Sequence, residues 1–465
     1  MKKLLALVLA VTAFALAGCG GSADKPADNA NYKANVEMFA KSFDGNRNKA
    51  YATWQYFGSP VKSADRNQLP LETTWVRKYD RTLNVPNSDE KWTDVDNGTL
   101  AQGQAYEISQ PKPATYRFIG ELNTADFTFP VDGMASATNY QDMNILANPY
   151  TGAMSIDKLD FSGATAADKV VYLFNTGSRK DWIANSGPTT NGTTQGQYTK
   201  AIPTNLAGHV AGMPNQIPSL SSFMVKSTAA GNLKYRYADL VTATEENRAP
   251  ERRFHSLAVD VESAKTADRL WLVQAEGTTD RYDNGWDGEK IFAPGEAALY
   301  AMQDRSYQVT TTDAIGETKV GFVPGDGEQN YKLTFHLDGG DGTQQYTLLD
   351  KRTGLTRAIH DGDTYEFTAT KGDAAHRFTI LGNGAKATAD QRGFQISADL
   401  RRNFTVKNFT DQPAEALVFD AAGKIQARFT VEPGSENTGT VVMPGAYVVR
   451  VSNKVTTLTQ RFVMP

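Results

Sequence analysis

Short runs of aromatic and β-branched residues recur along most of this 465-residue chain, and they constrain its fold more than any other feature. Gly, Asn, Asp and Pro separate the runs, as turns separate short strands. In several runs alternate residues are apolar, which is typical of a sheet with one face on a core. The pattern predicts an all-β chain of tandem β-sandwich domains, jelly-roll or immunoglobulin-like. Clear examples are residues 115–119, 169–174, 270–273 and 365–368.

The first 19 residues read as an export signal that ends in the sequence LAGC at Cys19. Lys2 and Lys3 precede an apolar run over residues 4–16, and small residues precede the cysteine. The run is too short to span a bilayer as a permanent helix. This pattern predicts a bacterial lipoprotein signal, with Cys19 acylated and the protein held to the outer membrane or cell surface by its acyl chains. The alternative is an ordinary secretory peptide and a secreted protein.

Cysteine content and charge limit how the chain can be stabilised and what it can bind. Cys19 is the only cysteine, so the mature domains must be held by their own cores rather than by disulfides. The net charge is −4, and Lys and Arg are scattered rather than clustered, which argues against a nucleic-acid partner.

Changes in composition predict the domain organisation. Residues 20–44 begin polar and small and indicate a flexible tether from lipid to body. Within it, apolar residues from Val36 to Phe43 fit a short amphipathic helix or a strand equally well. Charged or Gly-rich linkers at 245–253 and 382–387 then separate the three predicted domains. These are a β-rich domain at 45–245, a β-sandwich at 252–383 and a small seven-stranded sandwich at 392–465.

Several short motifs resemble, in order, the C-terminal halves of Bacteroidetes cell-surface proteins that are cargo of the type IX secretion system. The motifs are 54–60 (WQYFGSP), 106–110 (YEISQ), 147–151 (ANPYT), 171–178 (VYLFNTGS), 217–220 (IPSL), 283–290 (DNGWDGEK), 299–302 (LYAM), 365–369 (YEFTA), 419–424 (FDAAGK) and 444–449 (PGAYVV). The resemblance implies surface location and an Ig-like C-terminal sorting domain at 392–465 that contacts the export machinery. Whether that domain is removed during export or retained stays open.

One acidic loop is the nearest approach to a metal site. Asp283 and Asp287 occupy positions 1 and 5 of an EF-hand-like loop, but Pro294 stands at position 12, where a bidentate Glu belongs. An EF-hand is therefore excluded. An irregular Ca²⁺ site that uses Asp280, Asp283 and Asp287 is the alternative to an Asx-rich turn whose carboxylates accept backbone N–H groups. We expect the turn, and no cofactor. The Gly-rich acidic loops at 324–327 and 338–342 are expected to be hairpin turns.

The sequence contains no recognisable catalytic motif. The five histidines lack metal-ligand spacing. His360 is followed by Asp361 and Asp363, which could orient its imidazole or form a solvated turn. We therefore expect no enzyme but a non-catalytic surface module for adhesion, for binding an extracellular glycan or protein, or for structure. The alternatives are a transport and display cassette without a ligand, and a glycan-directed hydrolase with two carboxylates across a cleft. Tryptophans in polar contexts are candidates for sugar stacking: Trp75, Trp92, Trp182 and Trp286.

Overall fold

The computed structural model describes most of the chain beyond the leader. The described residues are 33–40, 54–70, 73–83, 85, 88–110, 114–133, 142–174, 198–241, 254–293, 295–340, 342–382, 393–399, 402–410, 412–454 and 457–464. Cys19 and the rest of the predicted signal lie outside the described residues, and so do the predicted linkers at 245–253 and 382–387, apart from residue 382. Of the predicted tether at 20–44, only residues 33–40 are described, as strand β1.

The described residues form strands joined by turns and a few short 3-10 helices, so the predicted all-β class and β-sandwich architecture are confirmed. The strands up to residue 251 are β1 (Lys33–Ala40), β2 (Gln55–Gly58), β3 (Ser63–Asp65), β4 (Trp75–Tyr79), β5 (Trp92–Asp94), β6 (Thr99–Ala101), β7 (Ala105–Ser109), β8 (Ala114–Glu121), β9 (Phe127–Val131), β10 (Met143–Ala147), β11 (Met154–Ser155), β12 (Asp160–Gly163), β13 (Val170–Phe174), β14 (Tyr198–Pro203), β15 (Gln216–Ile217), β16 (Ser222–Lys226) and β17 (Gly231–Tyr235). The 3-10 helices are Arg66–Gln68, Ser88–Lys91, Ile156–Lys158 and Tyr237–Asp239.

The later strands follow the same short pattern. They are β18 (His255–Glu262), β19 (Ala267–Gln274), β20 (Gly288–Glu289), β21 (Ala298–Met302), β22 (Ser306–Thr312), β23 (Thr318–Val323), β24 (Asn330–Asp338), β25 (Tyr346–Asp350), β26 (Leu355–Ile359), β27 (Thr364–Thr368), β28 (His376–Gly382), β29 (Phe394–Ala398), β30 (Asn403–Asn408), β31 (Ala414–Asp420), β32 (Ile425–Val431), β33 (Glu436–Thr440), β34 (Gly445–Ser452) and β35 (Thr457–Met464).

The chain divides into two compact units. The first comprises residues 1–189, 194–251 and 284–286, and the second comprises 190–193, 252–283 and 287–465. In the first unit the strands form small sheets, of which the four-stranded ones have the orders β2-β7-β4-β5 and β10-β16-β13-β14.

Strand β1 corrects the predicted tether at 20–44. Residues 33–40 pair antiparallel with β8 along their whole length. Val36, Met38 and Ala40 are buried while Glu37 is exposed, so the residues alternate between the core and solvent. Because this segment contributes buried side chains to a hydrophobic core of the first unit, it is a strand there and neither a flexible linker nor a helix.

The second unit contains an eleven-stranded sheet that folds round its own core. Its order is β26-β25-β28-β23-β21-β22-β19-β18-β24-β27, with β20 paired to β22. Only β19 and β22 pair in parallel among these strands. Phe367 of the last strand in this order lies 5.0 Å from Phe322 and 5.1 Å from Phe378, ring centre to ring centre, although those residues belong to distant strands. The sheet therefore curls until its two ends share one core.

The sequence predicts hairpin turns at the two Gly-rich acidic loops, and this prediction is wrong. Residues 324–327 join β23 to β24, which are separated in the sheet by four strands. Residues 338–342 likewise lie between β24 and β25, which are not neighbours. The glycines supply positive φ angles, for example +70° at Gly339, but the strands that they join pair elsewhere. Turn chemistry alone could not distinguish a hairpin from a crossover.

Residues from 394 to 464 form a seven-stranded sandwich, as predicted. One sheet has the order β29-β30-β33 and the other β32-β31-β34-β35. Side chains from both sheets meet in one hydrophobic core, in which Phe404 contacts Tyr447 and Phe462 at ring-centre distances of 5.7 and 5.4 Å. We call these residues the C-terminal sandwich.

Candidate functional site

The acidic loop at 280–287 is built by hydrogen bonds within the protein. Asp283 Oδ2 accepts the Thr279 backbone N–H at 2.6 Å. Asp287 is fully buried; its Oδ2 accepts the Asp283 N–H at 2.7 Å and its Oδ1 the Thr311 N–H at 2.6 Å. Asp280 Oδ1 accepts the Thr312 hydroxyl at 3.3 Å. Asp283 thus closes a local turn, while Asp280 and Asp287 join the loop to β22. Burial raises the pKa of Asp287 to about 6.

The same loop offers no ready-made metal cage. In the described part of the chain, no group of three or more His, Cys, Asp or Glu side chains is arranged to hold a metal ion. Asp280, Asp283 and Asp287 each have protein donors, as the preceding distances show. The expectation of a turn without a cofactor stays a prediction, with the irregular Ca²⁺ site as its alternative.

His360 and its acidic neighbours form a solvated turn. His360 Nδ1 lies 3.0 Å from Asp363 Oδ2, and the imidazole side chain is 77% exposed. The hydrogen bond with the His360 side chain is the largest of the effects that lower the pKa of Asp363. Asp361 instead accepts the Leu337 backbone N–H at 3.0 Å. Asp361 therefore braces a neighbouring strand rather than orienting the imidazole.

The candidate tryptophans have different surroundings. Trp92 is only 8% exposed, and the centre of its ring lies 4.8 Å from that of Tyr56 and 5.3 Å from that of Tyr79. Trp92 therefore belongs to the core and offers no face on which a sugar could stack. Trp75 and Trp286 are half-buried. Trp182 lies outside the described residues.

A cleft of about 390 Å³ lies in the second unit, between residues 351–377 and the C-terminal sandwich. Asp373 is the one carboxylate among its lining residues, and it is paired with Arg352 at 2.5 Å. A glycosidase needs two carboxyl groups about 5 to 9 Å apart. This cleft therefore does not supply the pair that the hydrolase alternative requires.

The C-terminal sandwich presents an unusual apolar surface. Val442 and Val463 are each 85% exposed and Met443 is 67% exposed. Val442 and Met443 precede β34, whose first residue pairs with Met464 of β35, so all three lie at one end of the sheet. We call these three residues the terminal apolar surface.

The backbone beneath this surface is fixed. The guanidinium of Arg402 donates to the Val442 carbonyl, and the Tyr447 hydroxyl donates to the Met443 carbonyl at 2.6 Å. The neighbouring Val441 is buried. The loop thus holds two apolar side chains in solvent on a rigid support. Contiguous exposed apolar patches can mark interaction sites, and these residues share no sequence motif.

No helix in the described ranges is long and apolar enough to cross a membrane.

Comparison with known proteins places the chain in a family. The model of the Domain of unknown function (DUF8693) matches residues 42–381. The minor fimbrium subunit Mfa5 of Porphyromonas gingivalis is 30% identical over 464 residues, which cover 94% of this chain and 37% of that protein. The chain thus spans little more than a third of its curated relative. This relationship agrees with the coarser part of the predicted resemblance, to Bacteroidetes surface proteins.

A solved structure, a biofilm associated protein's BSP domain, matches over 96% of this chain and 99% of its own, at 10% identity. Its TM-score of 0.14 is too low to indicate a shared fold. Membership rests on the family model, which spans residues 42–381 and so well over half of the sequence. The chain belongs to the family defined by the Domain of unknown function DUF8693.

Proposed function

We propose that this protein is a non-catalytic cell-surface protein that acts as a structural or adhesive component of a surface fibre. The observation that carries the proposal is the 30% identity to a minor fimbrium subunit along 94% of the chain. An all-β chain with a single cysteine, at position 19, suits such a role, because its sandwiches are held by apolar cores.

Anchoring through Cys19 belongs to this proposal. Acyl chains on Cys19 would hold the protein to the outer membrane and leave the sandwiches free to meet an extracellular glycan or protein. The LAGC sequence behind a charged and apolar leader supports this anchor.

A further part of the proposal is that the C-terminal sandwich contacts the export machinery, as in type IX cargo. The terminal apolar surface is the face that we assign to this contact, because it is exposed on a fixed backbone. Replacement of Val442, Met443 and Val463 by serine should leave the protein folded but retain it in the periplasm. Ile425→Ser is the matched control, since Ile425 is an exposed apolar residue, 42% exposed, elsewhere on the same sandwich.

Fractionation of native cells tests the main proposal. The protein should be accessible to antibody on intact cells and should co-purify with surface fibres. The intact mass of the membrane-derived protein should correspond to a chain that begins at an acylated Cys19. Recovery of the protein only from the periplasm or cytoplasm would overturn the surface assignment, and a soluble secreted species with an unmodified Cys19 would overturn the lipid anchor.

A further inference from the structure

The cleft in the second unit is lined mainly by basic and neutral polar side chains. On one side its lining comes from the turn after β25, the turn before β28 and the first residues of β28. On the other side it comes from the end of β34, the turn that follows and the start of β35. The lining residues are Lys351, Arg352, Gly372, Asp373, Ala374, His376, Arg377, Arg450, Asn453, Lys454, Thr457 and Thr459.

Two of the arginines are neutralised within the protein. The guanidinium of Arg377 is 4% exposed and bonds to the fully buried Asp350, with Nη2 2.9 Å from Oδ2. Arg352 bonds to Asp373, as described above. These pairs build one wall of the cleft and add little net charge to it.

The other cations have no such partner. In the described residues, Arg450 and Lys454 form neither a hydrogen bond nor an ion pair through their side chains, and both are exposed. Lys351 Nζ lies 3.4 Å from His376 Nδ1, which carries no negative charge. Three cationic side chains thus border one cleft without a counter-charge in contact.

The pKa values of Lys351 and His376 reflect a buried and locally positive part of the cleft. Burial, followed by the charge of Lys319, lowers the pKa of Lys351, while Glu317 opposes the change. Burial together with Lys351 and Lys319 lowers the pKa of His376 to about 4. His376 is therefore neutral at pH 7, and an anion beside Lys351 would offset the positive charge of Lys351 and Lys319.

We propose that this cleft binds the carboxylate or sulfate group of an acidic saccharide. Lys351, Arg450 and Lys454 would hold the anion, and Thr457 and Thr459 would hydrogen-bond to the sugar hydroxyls. Among the described lining residues there is no Phe, Tyr or Trp on which a sugar ring could stack, so a neutral sugar has little to hold it. A volume of about 390 Å³ suits a sugar unit rather than a folded partner.

The inference rests on the proposed surface location, where the protein would meet extracellular carbohydrate, and it names the class of ligand. An acidic peptide would present the same charge. The saccharide is favoured because the same lining carries the hydroxyl groups of Thr457 and Thr459 beside the unpaired cations.

The test is titration of the full chain, observed by NMR, with three tetrasaccharides: hyaluronan, which carries carboxylates alone, chondroitin sulfate, and neutral chitotetraose. We expect saturable binding of one or both acidic probes and none of chitotetraose. Stronger binding of chondroitin sulfate than of hyaluronan would identify sulfate as the preferred group, and equal binding would identify the carboxylate.

The variant Arg450→Gln/Lys454→Gln removes two exposed cations without disturbing the core. It should weaken binding by roughly ten- to a hundredfold, the loss typical of charged hydrogen bonds. Lys332→Gln, an exposed lysine outside the lining, should bind normally. The bound anion should also raise the pKa of His376, which its imidazole signals report.

The proposal is overturned if neither acidic probe binds or if the double variant binds as the wild type does. Binding of a tetra-aspartate peptide in place of both saccharides would overturn the saccharide assignment. Each of these failures would leave co-purification with surface fibres unchanged. If the protein binds an acidic saccharide but does not co-purify with surface fibres, the proposed function is overturned and the inference about the cleft stands.

Discussion

Asp350 illustrates how single residues hold this fold without disulfides. It is fully buried and accepts hydrogen bonds from the Arg377 guanidinium, from the Tyr365 hydroxyl at 2.8 Å and from the Arg352 backbone N–H at 2.9 Å. Asp350→Ala would leave the buried Arg377 without its counter-charge. We expect a loss of about 3–5 kcal/mol in the free energy of unfolding, measured by urea denaturation.

The control for this prediction is Glu262→Ala. Glu262 pairs with Lys332 at 3.2 Å, but both side chains are well exposed, at 38% and 43%. Solvent screens such a pair, so its loss should cost less than about 1 kcal/mol. Equal costs for the two variants would contradict a stabilising role for the buried pair.

Asp287 gives a prediction about pH. Its pKa in the folded chain is raised to about 6 from an ordinary value of 3.8. Between these values the folded chain binds the proton more tightly than the unfolded chain does. Stability should therefore fall as the pH rises from about 4 through about 6.

Asp287→Asn should flatten this part of the curve of urea midpoint against pH. Asp326→Asn, at a side chain that is 64% exposed, should leave the curve unchanged. A wild-type curve that rises steadily between about pH 4 and 6, with no difference in Asp287→Asn, would contradict the assignment.

Calcium gives a third prediction at the residue scale. The oxygens of Asp283 and Asp287 already accept backbone N–H groups. Calcium would have to displace these bonds, so millimolar Ca²⁺ should not raise the Tm above its value in EDTA. A rise in Tm that Asp283→Asn abolishes would establish the irregular Ca²⁺ site instead.

At the scale of elements, β1 offers a direct test of a strand within the predicted tether. Met38 is 2% exposed, whereas Asn35 of the same strand is exposed. Met38→Asp places a charge in the core and should cost several kcal/mol, roughly 3 or more, by urea denaturation. Asn35→Asp adds the same charge to the solvent face and should stay within about 0.5 kcal/mol. Equal tolerance of both would show that residues 33–40 are a linker after all.

Local and non-local features of this chain differ in how far sequence predicts them. Runs of alternating apolar residues and Gly-containing turns are local features. They were enough to predict the all-β class and the seven strands of the C-terminal sandwich. Strand order is not local: residues 324–327 have hairpin chemistry, yet β23 and β24 pair with other strands. The basic cleft was missed for the same reason, because Lys351 and Arg450 are distant in sequence and share no motif.

At the scale of the whole molecule, the two hydrophobic cores of the second unit are separate. One belongs to the eleven-stranded sheet and the other to the C-terminal sandwich, and no residue is common to both. A sandwich that closes its own core needs no neighbour to bury it. The predicted domain at 392–465 should therefore fold when expressed alone, although a domain of this size is only marginally stable.

A dispersed NMR spectrum and a single cooperative urea transition of the isolated segment would agree with this prediction. Phe404 is fully buried at the centre of its core, so Phe404→Ala should cost about 3–5 kcal/mol and unfold the isolated segment. Ile425→Ser, on its surface, should leave the segment folded. A spectrum without dispersion for the wild-type segment, beside one cooperative transition of the whole chain, would show that the sandwich depends on residues 252–383. In that case its removal during export would unfold it, and a retained C-terminal sandwich would be a structural part of the mature protein.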